Sequence, residues 1–214
     1  MSNPGDGPAS FWDERYVGDD YVFGQDPNVW MAANEALFKP GMTALLPGDG
    51  EGRNGVWLAE RGLHVTTIDA SSIGVEKARR LAAARGVEID IRVADLRDWE
   101  VPAATFDLVV LAFLHVGPDD RTGIHRKIAR ALKPGGLLLL EGFTPDHLGY
   151  GKGGPKNTTM MFTEERLRDD FADLLEIEHI EALKTELPAS ERHGGPAAVI
   201  RLRARRRADE GTKT

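Results

Sequence analysis

Five consecutive residues have the types and spacing for chemistry: Gly48, Asp49, Gly50, Glu51 and Gly52. They follow the apolar run Ala44-Leu45-Leu46-Pro47 and lead into Arg53-Asn54, where a helix is expected to start. Alternating glycines let a backbone turn tightly and leave no side chain between it and a ligand. The helix behind them presents unpaired N–H groups to something polar or anionic. Asp69 ends the next apolar run, Val65-Thr66-Thr67-Ile68, and a carboxylate there suits two vicinal ribose hydroxyls. Asp95 ends a third run, where it suits either an exocyclic adenine amine or the cap of a short turn from Leu96 to Trp99. Loop and acids together predict an adenosine-containing cofactor.

Two kinds of cofactor fit these residues. The dinucleotide pattern is present to the letter in Gly50-Glu51-Gly52-Arg53-Asn54-Gly55, with Asp69 downstream at roughly the 20-residue spacing of that fingerprint. It begins late, however, and the triplet Gly48, Gly50, Gly52 sits closer to the strand. That triplet places Arg53 where a pyrophosphate needs open backbone, a demand that a phosphate-free cofactor does not make.

On the acceptor side no catalytic triad or metal-ligand spacing is visible, and the chain has no cysteine, which removes disulfides, thiolate metal sites and a Cys nucleophile. His115 follows Leu111-Ala112-Phe113-Leu114 and is expected at the crevice; its plain alternative is a loop histidine. Arg192 and His193 suit an anionic or soft acceptor, against an ordinary turn with Gly194-Gly195-Pro196. Arg15, with Tyr16, is placed to fold over the cofactor from an N-terminal helix.

These residues need a scaffold. Strands are expected over Met42–Leu46, His64–Ile68, Val87–Val93, Phe106–Ala112 and Leu137–Glu141. Helices are expected over Asn54–Arg61, from a Ser71 cap to Arg85, and from Asp119 or Asp120 to Leu132. This alternation predicts an α/β fold with a doubly wound parallel sheet, ligands lying over the carboxyl ends of its strands. Period-two alternation after Leu175 and after Ala198 adds an antiparallel C-terminal edge. Residues 1–10 are expected to be disordered, 11–205 to form one domain with a helical lid over 11–38, and 206–214 to be a tail. The Gly- and Pro-rich stretch from Phe143 to Met161 is a second candidate lid.

A charge sum of 27 − 34 = −7 argues against nucleic acid as a partner. Arg201, Arg203 and Arg205 to Arg207 read as a last strand with solvated arginines. The start lacks an apolar signal segment, and the longest apolar run, Leu108 to Leu114, is far short of the roughly 20 residues that cross a bilayer. A cytoplasmic protein with no membrane partner is the expectation.

Taken together, Gly48-Asp49-Gly50-Glu51-Gly52-Arg53-Asn54, Asp69-Ala70-Ser71, Asp95, Phe106-Asp107-Leu108-Val109 and Leu132-Lys133-Pro134-Gly135-Gly136 resemble the class I S-adenosylmethionine-dependent methyltransferases, from about Phe11 to Ala204. The resemblance implies a mostly parallel, seven-stranded Rossmann-like sheet, S-adenosylmethionine as cofactor with S-adenosylhomocysteine as product, and a small-molecule methyl acceptor. The cofactor set it implies is Arg15, Gly48, Asp49, Gly50, Gly52, Asn54, Asp69, Ala70, Ser71, Asp95, Leu96 and Ala112. A narrower likeness is to the tellurite-resistance and thiopurine branch. It is carried by Tyr21 to Asn28, Gly151 to Lys156 and Glu191 to Gly195. It implies a tellurite, selenite or thiol acceptor, with His115, Arg192 and His193 on the acceptor side. One departure stands out: the family places an acid two residues before the first glycine, near the methionine amino group, and here that residue is Leu46. Asp49, Asp26 or water is left to meet that charge. An NAD(P)-dependent oxidoreductase and a non-catalytic adenosyl-binding regulator are the other readings; the former lacks a Tyr-x-x-x-Lys pair.

Overall fold

Apolar runs alternate with helix-capping residues along the middle of the chain, and each run has become a strand. The computed structural model describes residues 7–150, 153–190 and 194–208. In chain order the elements are α1 (Pro8–Tyr16), α2 (Val29–Ala33), β1 (Thr43–Pro47), α3 (Arg53–Ala59), β2 (His64–Asp69), α4 (Ser72–Arg85) and β3 (Asp90–Val93). They continue with β4 (Phe106–Ala112), α5 (Pro118–Ala131), β5 (Leu132–Phe143), α6 (Glu164–Phe171), β6 (Leu175–Leu187) and β7 (Gly195–Arg206). The seven strands form one sheet in the order β3-β2-β1-β4-β5-β7-β6. The first five are parallel, and β7 runs antiparallel to both β5 and β6. The strand order reverses between β1 and β4, so the carboxyl ends of those two strands flank the crevice where such sheets take ligands.

Side-chain alternation sends each central strand into two cores. Leu45, Val109, Leu111, Leu138 and Leu140 pack with Ile124 and Ile128 of α5 and Leu167 and Phe171 of α6. Ala44, Leu46, Leu108, Val110 and Leu139 pack on the other face with Met31 of α2 and Leu58 of α3. Burial on both faces explains why β4 reads as an unbroken apolar run.

Three elements depart from the sequence reading. The third strand starts at Asp90 rather than Val87, because Gly86 and Val87 close α4 instead: Gly86 is left-handed (φ 67°), its N–H donates to Ala83 O, and Val87 N–H donates to Ala82 O. The fifth strand is longer at both ends than Leu137–Glu141, since β7 pairs with it as far as Phe143 and the Pro134-Gly135-Gly136 turn is absorbed as an irregularity opposite Phe106 and Leu108. Helix α1 begins at Pro8, inside the stretch expected to be disordered, with proline at the first turn where its missing N–H costs nothing. The arginines of β7 are not simply solvated: Arg203 and Arg205 share Glu178, and Arg201 points inward to buried Glu141. Among the described residues no helix is long and apolar enough to cross a membrane.

The α5–α6 junction closes on one carboxylate. Buried Asp170 accepts from Arg121 Nε at 2.8 Å, Thr122 Oγ1 at 2.7 Å and His125 Nδ1 at 2.8 Å. Burial pushes the Asp170 carboxyl up, and its His125, Arg121 and Thr122 donors more than reverse this, to about 2. The cluster therefore contributes stability that is complete above the ordinary aspartate value of 3.8 and is lost as pH falls toward 2. Asp170→Asn is expected to cost about 3 kcal/mol at neutral pH and to flatten the acid limb of stability, read by urea denaturation from pH 7 to pH 3.

Candidate active site

The glycine loop is built to be approached closely. Gly50 has φ 57° and its N–H donates to Asp69 Oδ2 at 2.8 Å, so the loop is tied to the end of β2 by the acid predicted to face the ribose. Gly52 has φ 87°, and a Cβ there would come within 2.6 Å of Ala78, so only glycine lets α4 pack against the start of α3. Asp69 Oδ1 accepts from Ser71 N–H at 2.9 Å, and the Ser71 side chain caps α4 through Gly74 N–H. Burial pushes the Asp69 carboxyl up, while the amides of Ser71 and Gly50 pull the other way. With the Ala70 amide also directed at this carboxylate, part of its acceptor capacity remains for a ligand.

Asp49 does not face the crevice. Its carboxylate is turned beneath α3, where Gly55 N–H (2.9 Å) and Asn54 Nδ2 (3.0 Å) donate to it. Burial raises it to about 7 against those two donors. Leu46 is core, 1 % exposed. The expectation that Asp49 supplies the acid missing at Leu46 therefore fails, because the helix start has already claimed that carboxylate.

Residues 17–28 form a strap over the loop. Glu51 and Lys77 form a buried ion pair of 2.8 Å, with Lys77 0 % and Glu51 3 % exposed. Glu51 also accepts from Val22 and Phe23 N–H, and Lys77 donates to Asp20 O. Farther along, Asn28 N–H donates to Asn54 Oδ1 at 2.8 Å and Asn28 Nδ2 to Glu141 Oε2 at 2.6 Å. Glu141 then takes Arg201 Nε at 2.7 Å. Ahead of the strap, Asp13 of α1 accepts from Ser71 Oγ and Ile73 N–H, and buried Tyr16 lies against Gly50 and Gly74. Arg15 instead packs back on its own helix, over the Phe11 ring at 3.3 Å and onto Phe11 O at 2.7 Å. Tyr16 and Asp13, not Arg15, cover the loop in this arrangement. Sequence reading missed Asp13, Glu51, Lys77 and Glu141; the available signal was Lys77, a charge on the apolar face of α4 between Gly74 and Leu81.

Asp95 sits at the end of β3 and makes the turn predicted as its alternative role. Asp98 and Trp99 N–H donate to its carbonyl, and Arg97 N–H to Oδ1. A bidentate Arg97 pair, as short as 2.6 Å, holds its carboxyl below the ordinary range. Lys127 fastens the Leu96 side of this turn through Leu96 O, Arg97 O and Trp99 O. Ala112 pairs with Glu141, and the next residue, Phe113, is left-handed (φ 56°), a strained position for a bulky side chain at the mouth of a crevice. His115 has both ring nitrogens occupied: Nδ1 lies 2.9 Å from Met160 O, and Nε2 accepts from Phe143 N–H at 3.0 Å. Burial lowers it to about 4. It is a neutral tie between β5 and the Thr158–Met160 turn, and neither nitrogen is left for an acceptor. Arg192 and His193 lie outside the described residues. Among the described residues no three His, Cys, Asp or Glu are placed to hold a metal ion.

A cavity of about 60 Å³ opens between the strap and the ends of β4 and β5, with Phe23, Asp26, Asn28, Arg53, Phe113 and Glu141 in its wall. A larger hollow of about 820 Å³ lies at the opposite, N-terminal ends of the strands, by Thr43, His64 and Asp90, and holds none of the predicted site residues.

Residues 45–136 match the family model described as a methyltransferase domain. The match takes in less than half of the chain and marks a methyltransferase domain over those residues. The cypemycin N-terminal methyltransferase of Streptomyces sp is 30 % identical over 142 residues, 64 % of this chain and 56 % of that protein. The chain thus spans little more than half the length of that curated relative. Among solved structures, one described by the conversion of a disulfide bond into a thioacetal group during echinomycin biosynthesis has a TM-score of 0.76 at 22 % identity, covering 96 % of this chain and 92 % of that one. The N-methyltransferase NodS of Bradyrhizobium japonicum, in complex with S-adenosylhomocysteine, has a TM-score of 0.70 at 15 % identity, covering 94 % and 99 %. Both share the methyltransferase fold seen here.

Two outcomes follow from the site's internal ties. Lys77→Met, which strands a buried carboxylate, is expected to cost about 3–5 kcal/mol in urea denaturation. Asp49, raised to about 7 in the folded chain against 3.8 as its ordinary value, loses stabilisation as pH rises between those values. The stability of Asp49→Asn relative to the parent is therefore expected to improve from pH 5 to pH 8 in paired melts; a pH-independent difference contradicts the assignment.

Proposed function

We propose that this chain is an S-adenosylmethionine-dependent methyltransferase acting on a small molecule with a soft nucleophile: a thiol, or an oxyanion of tellurium or selenium. The observation that carries the cofactor half is Asp69, held by Gly50 and Ser71 at the carboxyl end of β2 with acceptor capacity to spare. When bound, S-adenosylmethionine supplies a methyl group on a sulfonium, open to in-line displacement by an acceptor lone pair. Gly48 to Gly52 and Asp69 would hold its adenosyl part, and Asp95, whose carboxyl Arg97 holds below the ordinary range, would accept from the adenine amine. Tyr16 covers Gly50, so α1 acts as a lid that lifts for entry and excludes water on closing.

The acceptor half rests on His115. His115, engaged at both nitrogens, does not serve as a general base in this geometry. An acceptor that is already nucleophilic at neutral pH, a thiolate or a chalcogen oxyanion, needs none. His115 is then a positioning residue, and Arg192 and His193 would supply acceptor-side charge. The neighbour described by disulfide-to-thioacetal conversion favours a sulfur acceptor among these.

Calorimetry with S-adenosylhomocysteine and NAD tests the cofactor. The expected result is micromolar binding of the first, none of the second, and at least a tenfold loss in Asp69→Ala, the order of one charge-assisted interaction. NAD binding in its place overturns the reading. Labelled donor with tellurite, selenite and small thiols tests the acceptor; donor binding with transfer to none of them favours a non-catalytic regulator.

A further inference from the structure

The methionine end of S-adenosylmethionine is a zwitterion, and neither Leu46 nor Asp49 leaves a free carboxylate for its ammonium. Leu46 stands in the core where the family has an acid, and Asp49 is committed to the start of α3. The charge must be met elsewhere, and the cavity between the strap and the β4 and β5 ends holds the candidates.

Two carboxylates line that cavity. Both oxygens of Glu141 are engaged, one by Asn28 Nδ2 at 2.6 Å and the other by Arg201 Nε at 2.7 Å. Asp26 differs: no hydrogen bond or ion pair to its carboxylate is present among the described residues, and it stands on the exposed side of the strap. Arg53 is the cation in the same wall. Among the described residues its Nη1 makes only long bonds to backbone, to Phe23 O at 3.4 Å and Asp26 O at 3.2 Å, and it makes no salt bridge. A guanidinium with donors facing a cavity is matched to a carboxylate, because its planar fork can bind both oxygens. The 3.2 Å bond holds that guanidinium at the Asp26 backbone, so a cation and an acid that form no ion pair among the described residues line the same small cavity.

We propose that Arg53 and Asp26 grip the amino-acid end of the methyl donor, Arg53 taking its carboxylate and Asp26 its ammonium, in place of the acid absent at Leu46. The inference rests on S-adenosylmethionine being the donor. It assigns the selectivity for that end of the cofactor to the strap and the first residue of α3, not to the end of β1.

The test deletes charges on both partners. Calorimetry compares S-adenosylhomocysteine, its decarboxylated analogue, its deaminated analogue and methylthioadenosine, which lacks the whole amino-acid end. The unmodified protein is expected to prefer S-adenosylhomocysteine over each truncated ligand by about 10–100-fold, as for one charge-assisted hydrogen-bonding group. Arg53→Gln should lose the preference over the decarboxylated analogue only, and Asp26→Asn the preference over the deaminated analogue only. Unchanged affinity for methylthioadenosine shows that each variant is folded. Variants that weaken every ligand by one common factor, or that keep the parent's preferences, overturn the proposal while leaving the donor assignment intact. A parent protein that binds neither S-adenosylhomocysteine nor methylthioadenosine overturns the donor assignment itself. Should Arg53→Gln not fold, Asp26→Asn carries the same decision, since it alters an exposed strap residue.

Discussion

The crevice depends on one buried ion pair. Lys77 of α4 and Glu51 of the glycine loop meet at 2.8 Å with almost no exposure. Two charges taken from water are costly, and their attraction repays this only when the remaining donors and acceptors are also satisfied. Here they are satisfied by the strap: Glu51 receives Val22 and Phe23 N–H, Lys77 gives to Asp20 O, and Tyr21 OH donates to Lys77 O. The strap is thus the missing part of the pair's coordination. Removing it would leave a buried ammonium and a buried carboxylate incompletely bonded. That requirement fixes an otherwise irregular segment over the site.

The same logic continues toward the antiparallel edge. Asn28 reaches from the strap to Asn54 and to Glu141, and Glu141 passes the connection to Arg201 on β7. Parallel and antiparallel halves of the sheet are joined above the switch point by side chains as well as by β5–β7 pairing. Phe113 sits under this bridge with its N–H on Glu141 O at 2.7 Å, which holds the left-handed backbone in place. Strain at a crevice mouth persists only where surrounding bonds over-determine it, and these do.

Periodicity and capping made much of the fold legible. Ser71 and Gly86 bracket α4 as a cap and a left-handed stop, and the unbroken run Leu108–Leu111 reads as a strand covered on both faces. The glycine triplet and Asp69 were legible for the same reason: turn geometry and an acid at a strand end are local requirements. What the sequence hid is tertiary. Nothing local tells that Asp49 turns under α3 while Glu51, two residues on, turns toward α4. Nor does spacing tell that Arg15 folds back on Phe11 while Tyr16 covers the loop, or that His115 is closed by a carbonyl 45 residues away and an amide 28 residues away.

An apolar residue at Leu46 has a consequence for how the site works. An acid at the end of β1 would belong to the rigid sheet and would be present whether or not the cover is closed. A grip made by Asp26 and Arg53 draws one member from the strap. Ligand and cover are then linked: the amino-acid end is held only when the strap is seated, and holding it favours the seated state by the difference in affinity between the two. The Glu51–Lys77 pair sets the starting balance, because it seats the strap before any ligand arrives. Preorganisation of that kind lowers the ordering cost of binding and keeps water from the transferring group in a single step.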